Sequence, residues 1–289
     1  MKLGGLMRRY SILGWLRVFL LLVLVLILAL YLLLSSTRSV DWQNPVVVRI
    51  YPINADGDAV TQSYVEQLDD RSFDDIETFF AREGYRYRIG LSAPVSVDLA
   101  PSIDSQPPKT PTQASIVEAL WWAIKMRFWV WWQDGWQAND ADVRIFMSFY
   151  APGNPQGQQH SLGLQKGNIG LVNGYADPEH QGINNFVAAH ELLHTLGASD
   201  KYDMKTGKPL WPDGFADPVK EPLFPQQRAE IMGGRVQVTP GWSLLPPSLS
   251  HAIIGSATAI EIGWLGPVAI RSESDSQAAP QSAQSSAAE

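Results

Sequence analysis

HELLHTLGASD, residues 190–200, spaces its polar groups as H-E-x-x-H-x-x-G-x-x-D. No other stretch of this 289-residue chain makes so tight a demand on the fold. Phe186, Val187, Leu193 and Leu196 recur at helical spacing, so INNFVAAHELLHTLG (183–197) is expected to be an amphipathic helix, with Asn184 or Asn185 as its cap. His190 and His194 then project from one face, a single turn apart. Gly197 closes the helix, and its freedom at positive φ allows a sharp bend that carries Asp200 back toward the two imidazoles.

Two imidazoles and a carboxylate are three ligands for a zinc ion, with a fourth position left for water. Glu191, beside the first histidine, is placed to meet that water as a general base. Asp203 is the runner-up third ligand, and Glu221 and Glu230 stand at more distant ligand spacings. The plain alternative is an ordinary helix with one half-buried and one solvated histidine. His160, His180 and His251 read as surface or structural residues. GLQKGN (163–168) lacks the K-[ST] ending and the strand-to-helix setting of a phosphate loop.

The extended signature resembles that of the metzincin metalloproteases, H-E-x-x-H-x-x-G-x-x-H, and the final aspartate resembles the snapalysin-type minority. AEIMGG (229–234) resembles the family's methionine turn, which makes Met232 the turn methionine. Where the family often has a tyrosine two residues later, this chain has Gly234, and Tyr202 is the candidate substitute. The resemblance covers about 142–264. It implies an α+β zincin domain with a mixed twisted sheet, an active-site helix, a methionine turn and a C-terminal helix. It also implies a zinc-dependent endopeptidase acting on peptide or protein substrates, with the strand near 168–173 pairing with extended substrate. An aspartate ligand is anionic, so the bound water should be less acidic than with three histidines.

VFLLLVLVLILALYLLL (18–34) holds no charge, and counted from Trp15 the run is interrupted only by Arg17. As a helix it would be about 30 Å long, the thickness of a hydrocarbon core. Residues 15–34 are therefore expected to be a transmembrane anchor, the chain's contact with the membrane. Lys2, Arg8, Arg9 and Arg17 precede the uncharged run and only Arg38 follows closely, which assigns 1–14 to the cytoplasm. A cleavable signal peptide is the competing reading, for which LSSTRSV offers a weak cleavage site. Residues 35–44 are a linker, 45–266 the metalloprotease domain outside the cytoplasm (with 45–112 alternatively a separate module), and 267–289 a disordered tail. Beyond residue 40 lie 17 basic against 29 acidic residues, a net −12 that argues against nucleic acid as a partner. With no cysteine there is no disulfide framework and no thiol-based latency.

The other elements follow from pattern. Residues 45–53, 142–150 and 168–175 read as strands. A helix is expected over 69–84, ending at Gly84, followed by an alternating strand over 85–99 broken at Pro94, then a proline-rich loop over 100–112. The stretch 113–136 holds six of the eleven tryptophans and is apolar nearly all round, with Lys125 and Arg127 as its only cations. Such a helix is expected to be buried, the alternative being a helix resting on a membrane. Residues 249–264 read as a second apolar helix. Two rival functions remain at this stage: a membrane-tethered scaffold with a structural metal site, and a zinc hydrolase of envelope amide bonds.

Overall fold

The computed structural model describes residues 12–35, 41–111, 115–134, 141–158, 162–164 and 168–266. The expected tail at 267–289, the first eleven residues and His160 lie outside the described residues. The chain divides into two units, Met1–Arg38 and Ser39–Glu289.

The first unit holds helix α1 (Ile12–Ser35). Among the described residues no helix is long and apolar enough to cross a membrane. The transmembrane helix expected as part of this fold is thereby corrected. An apolar run shows that a segment can form a helix; by itself it does not establish a span.

The second unit is built on a five-stranded sheet in the order β2-β1-β3-β5-β4. Its strands are β1 (Val46–Asn54), β2 (Val95–Leu99), β3 (Val143–Tyr150), β4 (Leu162–Leu164) and β5 (Ile169–Tyr175). The first, second, third and fifth run parallel, and only the short edge strand β4 is antiparallel. The fold is therefore α/β around a parallel central sheet, which corrects the expected α+β class; the sheet is mixed, as expected, only through its antiparallel edge strand β4. The reason lies in the connections. Helices α2 (Ala59–Gln67) and α3 (Asp74–Tyr87) cross from β1 to β2, and α4 (Ile116–Asp134) crosses from β2 to β3. Each crossover returns the chain in the same direction. With helices on both faces, VVVRIYPI needs no polar side, and that is why β1 reads as a nearly continuous apolar run.

One face packs Val48, Ile50, Ile145 and Met147 against Ile76, Phe79 and Phe80 of α3 and Ala189, Leu192 and Leu193 of α5 (Gln181–Thr195). The other face packs Tyr51, Ile53 and Phe146 against Trp122, Met126 and Val130 of α4.

Three element boundaries differ from expectation. Helix α3 runs through Gly84 to Tyr87, because a β-carbon at 84 would lie 2.8 Å from the Pro94 ring and the close packing needs glycine there. Arg88 in the left-handed conformation ends the helix, so the strand expected over 85–99 shrinks to β2. The second apolar helix expected over 249–264 is broken into β9 (Ala252–Ile253), which pairs with β6 (Ala229–Glu230), and the six-residue α6 (Ser256–Glu261). The intervening β7 (Val236–Thr239) and β8 (Trp242–Leu244) form a small hairpin. Helix α4 is only half buried; its outer side faces solvent.

Candidate metal centre

Helix α5 is fixed from both ends. At its start, the expected caps Asn184 and Asn185 lie inside the helix and buried, and each ties it to a neighbour. Asn184 accepts from the Tyr175 N–H and donates to the Tyr175 carbonyl, locking α5 to the end of β5. Asn185 and Gln181 both donate to the Ser72 carbonyl. Local helix propensity says nothing of these side-chain bonds to distant backbone, which is why neither asparagine serves as the cap.

At its end, the Ala198 N–H bonds to the Leu193 carbonyl and the Gly197 N–H to the His194 carbonyl, with Gly197 at φ 110°. This pair of bonds is the Schellman arrangement, and it needs glycine at the left-handed position. The bend brings the Ala198 carbonyl to His194, whose Nδ1 donates to it at 2.9 Å. His190 Nδ1 donates likewise to the Ile231 carbonyl at 2.9 Å.

These two bonds decide the chemistry. A carbonyl can only accept, so both histidines carry their proton on Nδ1 when neutral, and both Nε2 atoms present lone pairs. The two Nε2 atoms are 3.1 Å apart. Asp200 Oδ1 lies 3.3 Å from His190 Nε2 and 3.1 Å from His194 Nε2, a buried oxygen with no hydrogen-bond donor of good geometry. With both histidines neutral, three acceptors thus converge with no proton between them. A tetrahedral ion with bonds of about 2.0–2.1 Å separates its ligand atoms by about 3.3 Å. The triangle fits that edge length, and His190, His194 and Asp200 form a group that could hold a metal ion.

The electrostatics agree. Burial works against a charged His190, yet the Asp200 carboxylate, Glu191 and the Ile231 carbonyl outweigh it and push the imidazole pKa up. Burial likewise opposes the Asp200 charge, but the two imidazoles hold its carboxyl well below the usual carboxylate range. Both shifts describe a pocket that favours positive charge between these groups.

The segment beneath is a second device. Ile231–Gly233 forms a single 3₁₀ turn closed by Gly234 at φ 73°, with Met232 fully buried in the same core cluster as Leu193 and Ala198. Glu230, one of the distant candidate ligands, does not reach the metal group. It is fully buried and accepts from the Gly233 N–H at 2.7 Å, the Gly255 N–H at 3.0 Å and the Thr258 hydroxyl at 2.7 Å. It staples the methionine turn to the start of α6, and burial pushes its carboxyl group up against the pull of those donors. Lys201, beside Asp200, donates its backbone N–H to the Met232 carbonyl and its ammonium to Glu261 at 2.6 Å, and is 6% exposed. Sequence reasoning missed both Lys201 and the stapling role of Glu230, since neither has a local signature. Asp203 is also elsewhere: its carboxylate closes its own turn, accepting from Lys205 and Thr206. Glu221 is exposed and outside the group.

His190 of this group lines a cleft of about 540 Å³, together with Glu191, Tyr202, Gly234 and Arg235. Glu191 is buried at 4% exposure. The Tyr202 hydroxyl is pushed up to about 12, first by burial and then by the Asp200 carboxylate, so at neutral pH it remains an O–H donor. Arg235 makes no ion pair or hydrogen bond among the described residues. His180, expected to be a surface or structural residue, lines the cleft and pairs with Asp177 at 2.9 Å. Strand β4 pairs with Ile169–Leu171, so β5 is not the edge strand there, and the cleft is instead lined by Asn173, Gly174 and Tyr175 beyond that pairing. No protein-family model and no curated protein sequence matches the chain.

Proposed function

We propose that this protein is a zinc-dependent endopeptidase related to the metzincins, with His190, His194 and Asp200 as metal ligands and Glu191 as general base. The observation that carries the reading is the convergence of three possible ligand atoms at tetrahedral edge lengths, beside a buried carboxylate, with His190 and Glu191 at the wall of an open cleft. A purely structural zinc site is closed by four protein ligands; this group has three and faces the cleft. When bound, zinc supplies the Lewis acidity that activates water and a carbonyl at the open position.

The chain's own residues supply the remaining steps. Glu191 accepts a proton from the attacking water and returns it to the departing amine. The Tyr202 O–H donates to negative charge developing on the carbonyl oxygen. Asn173, Gly174 and Tyr175 position an extended peptide along the cleft. The Nδ1 bonds to Ile231 and Ala198 hold each imidazole in the ligating tautomer.

Glu191→Gln keeps size and hydrogen-bonding shape and removes only basicity. Metal content by mass spectrometry should stay at one ion per chain, while the rate of peptide-library digestion falls by about 10²–10⁴. Undiminished digestion at full metal occupancy would end the mechanism. Bound metal with no cleavage of any library by the unaltered protein would favour the scaffold reading, and cleavage of isolated envelope material alone would favour the envelope amidase.

A further inference from the structure

Helix α4 presents two opposed apolar stripes, and the fold uses one. At about 100° per residue, Trp122, Met126 and Val130 share the inner side, where they pack on the sheet. Val117, Leu120, Trp121, Phe128, Trp131 and Trp132 fall within a stripe roughly 120° wide on the opposite side. All six are exposed, from 48% at Leu120 to 76% at Val117. The Phe128 ring lies tilted against those of Trp131 and Trp132 at centroid distances of 5.8 and 6.4 Å, so the stripe includes a continuous aromatic patch. Lys125 and Arg127 flank this stripe, one on each margin, with Glu118 near one end.

We propose that this stripe is a docking surface for a phospholipid bilayer, with α4 lying in the plane of the interface. Three arguments select this partner. Tryptophan is the side chain most suited to the headgroup region, with an apolar body and an N–H for the wet side, and the stripe holds three. The two cations stand where an inserted stripe meets the headgroups, so their stems cover apolar surface and their charges lie at the level of the lipid phosphates. Every phospholipid carries a phosphate at the level of these two margins, whatever its headgroup. The net −12 beyond residue 40 acts in the other direction at long range, but a Debye length of about 8 Å screens it at the surface. The apolar stripe therefore supplies most of the attraction, and the two flanking cations add a smaller electrostatic part. This inference is independent of the catalytic reading.

The absence of cysteine allows a direct test on the full chain. Phe128→Cys carries a polarity-sensitive fluorophore, and Tyr85→Cys, on the exposed side of α3, serves as the reference. Co-sedimentation alone would not isolate α4, because the exposed leucines of α1 can bind lipid themselves. With phosphatidylcholine vesicles containing one part in five phosphatidylglycerol, the label at 128 should shift to the blue and the label at 85 should not. Lys125→Ala with Arg127→Ala should weaken the lipid dependence of that shift by about tenfold. An unchanged emission at 128 on protein that sediments with the vesicles would overturn the proposal. So would an emission already blue without lipid, whether independent of protein concentration (the chain covers its own stripe) or rising with it (a second copy does).

Discussion

Helices α4 and α5 are both apolar enough to read as buried, yet the molecule treats them oppositely. Helix α5 is enclosed, and its polar side chains are engaged: Asn184 and Asn185 clamp neighbouring backbone, and the two histidines point their lone pairs at Asp200. Helix α4 has one stripe on the sheet and leaves Trp121, Trp131 and Trp132 facing out. The difference teaches that apolar content sets how much of a helix can be buried, whereas neighbouring elements set how much is. Five strands offer two faces; α3 and α5 share one, and α4 alone covers part of the other with nothing described outside it.

The largest consequence falls on the metal group at the end of α5. On the proposed reading Asp200→Ala removes one of three ligands, so zinc affinity, read by competition with a chelator, should fall by about a hundredfold or more, and the proposed peptidase activity should be lost in proportion. Retained tight binding would mean that another oxygen completes the site. Within α5 itself, Leu192→Ala opens a cavity in a fully buried position and should cost about 2–5 kcal/mol by denaturant unfolding. Glu230→Gln tests the staple that holds the methionine turn. The amide cannot accept on both sides, so the Gly233 N–H or the pair from Gly255 and Thr258 loses its partner, at about 1–3 kcal/mol. Because the turn also presents the Ile231 carbonyl to His190, zinc affinity should fall in the same variant; unchanged affinity would separate the staple from the site.

How far the sequence disclosed this arrangement depends on how local each determinant is. The glycine bend, the histidine spacing and the return of Asp200 follow from a dozen consecutive residues, and the geometry brings those residues together. The methionine turn is equally local in its glycines. What stayed hidden is long-range. The parallel sheet depends on where each crossover helix packs, and Val46–Asn54 looks the same in either sheet type. Glu230 stands at a ligand's distance along the chain, but its three donors come from two separate segments that no local pattern announces. Helix α4 shows the same limit, since nothing in its pattern separates a stripe covered by sheet from one left open.

A smaller effect is expected at Glu261. Burial works against its charge, but the Lys201 ammonium and the Ser199 hydrogen bonds outweigh that and hold its carboxyl below the ordinary value of 4.5. A depressed carboxyl stabilises the fold above the unfolded-state value, and that contribution is lost as pH falls through the folded value. Stability should therefore decline below pH 4.5, and in Glu261→Gln the decline should be shallower while stability at pH 7 is lower. An identical slope in both proteins would show that the Lys201–Glu261 pair does not couple to folding.

The smallest effect, and the sharpest for the contrast between the two helices, is expected at Trp132. It is 69% exposed and its described ring contact is with Phe128, so Trp132→Ser removes little that the folded state uses. Tryptophan and serine have similar helix propensities, which leaves the helix itself indifferent to the change. Stability should then move by no more than about 0.5 kcal/mol, or about 2 °C in melting temperature for a unit of this size. A large aromatic removed from α4 should thus cost several times less than a leucine trimmed in α5. If Trp132→Ser instead destabilises the isolated protein by as much as Leu192→Ala, the outer stripe must be buried by the chain, and α4 joins α5 as a core helix. If the change is silent in solution but weakens the vesicle response of the label at 128, the outer stripe contributes to lipid binding and not to folding.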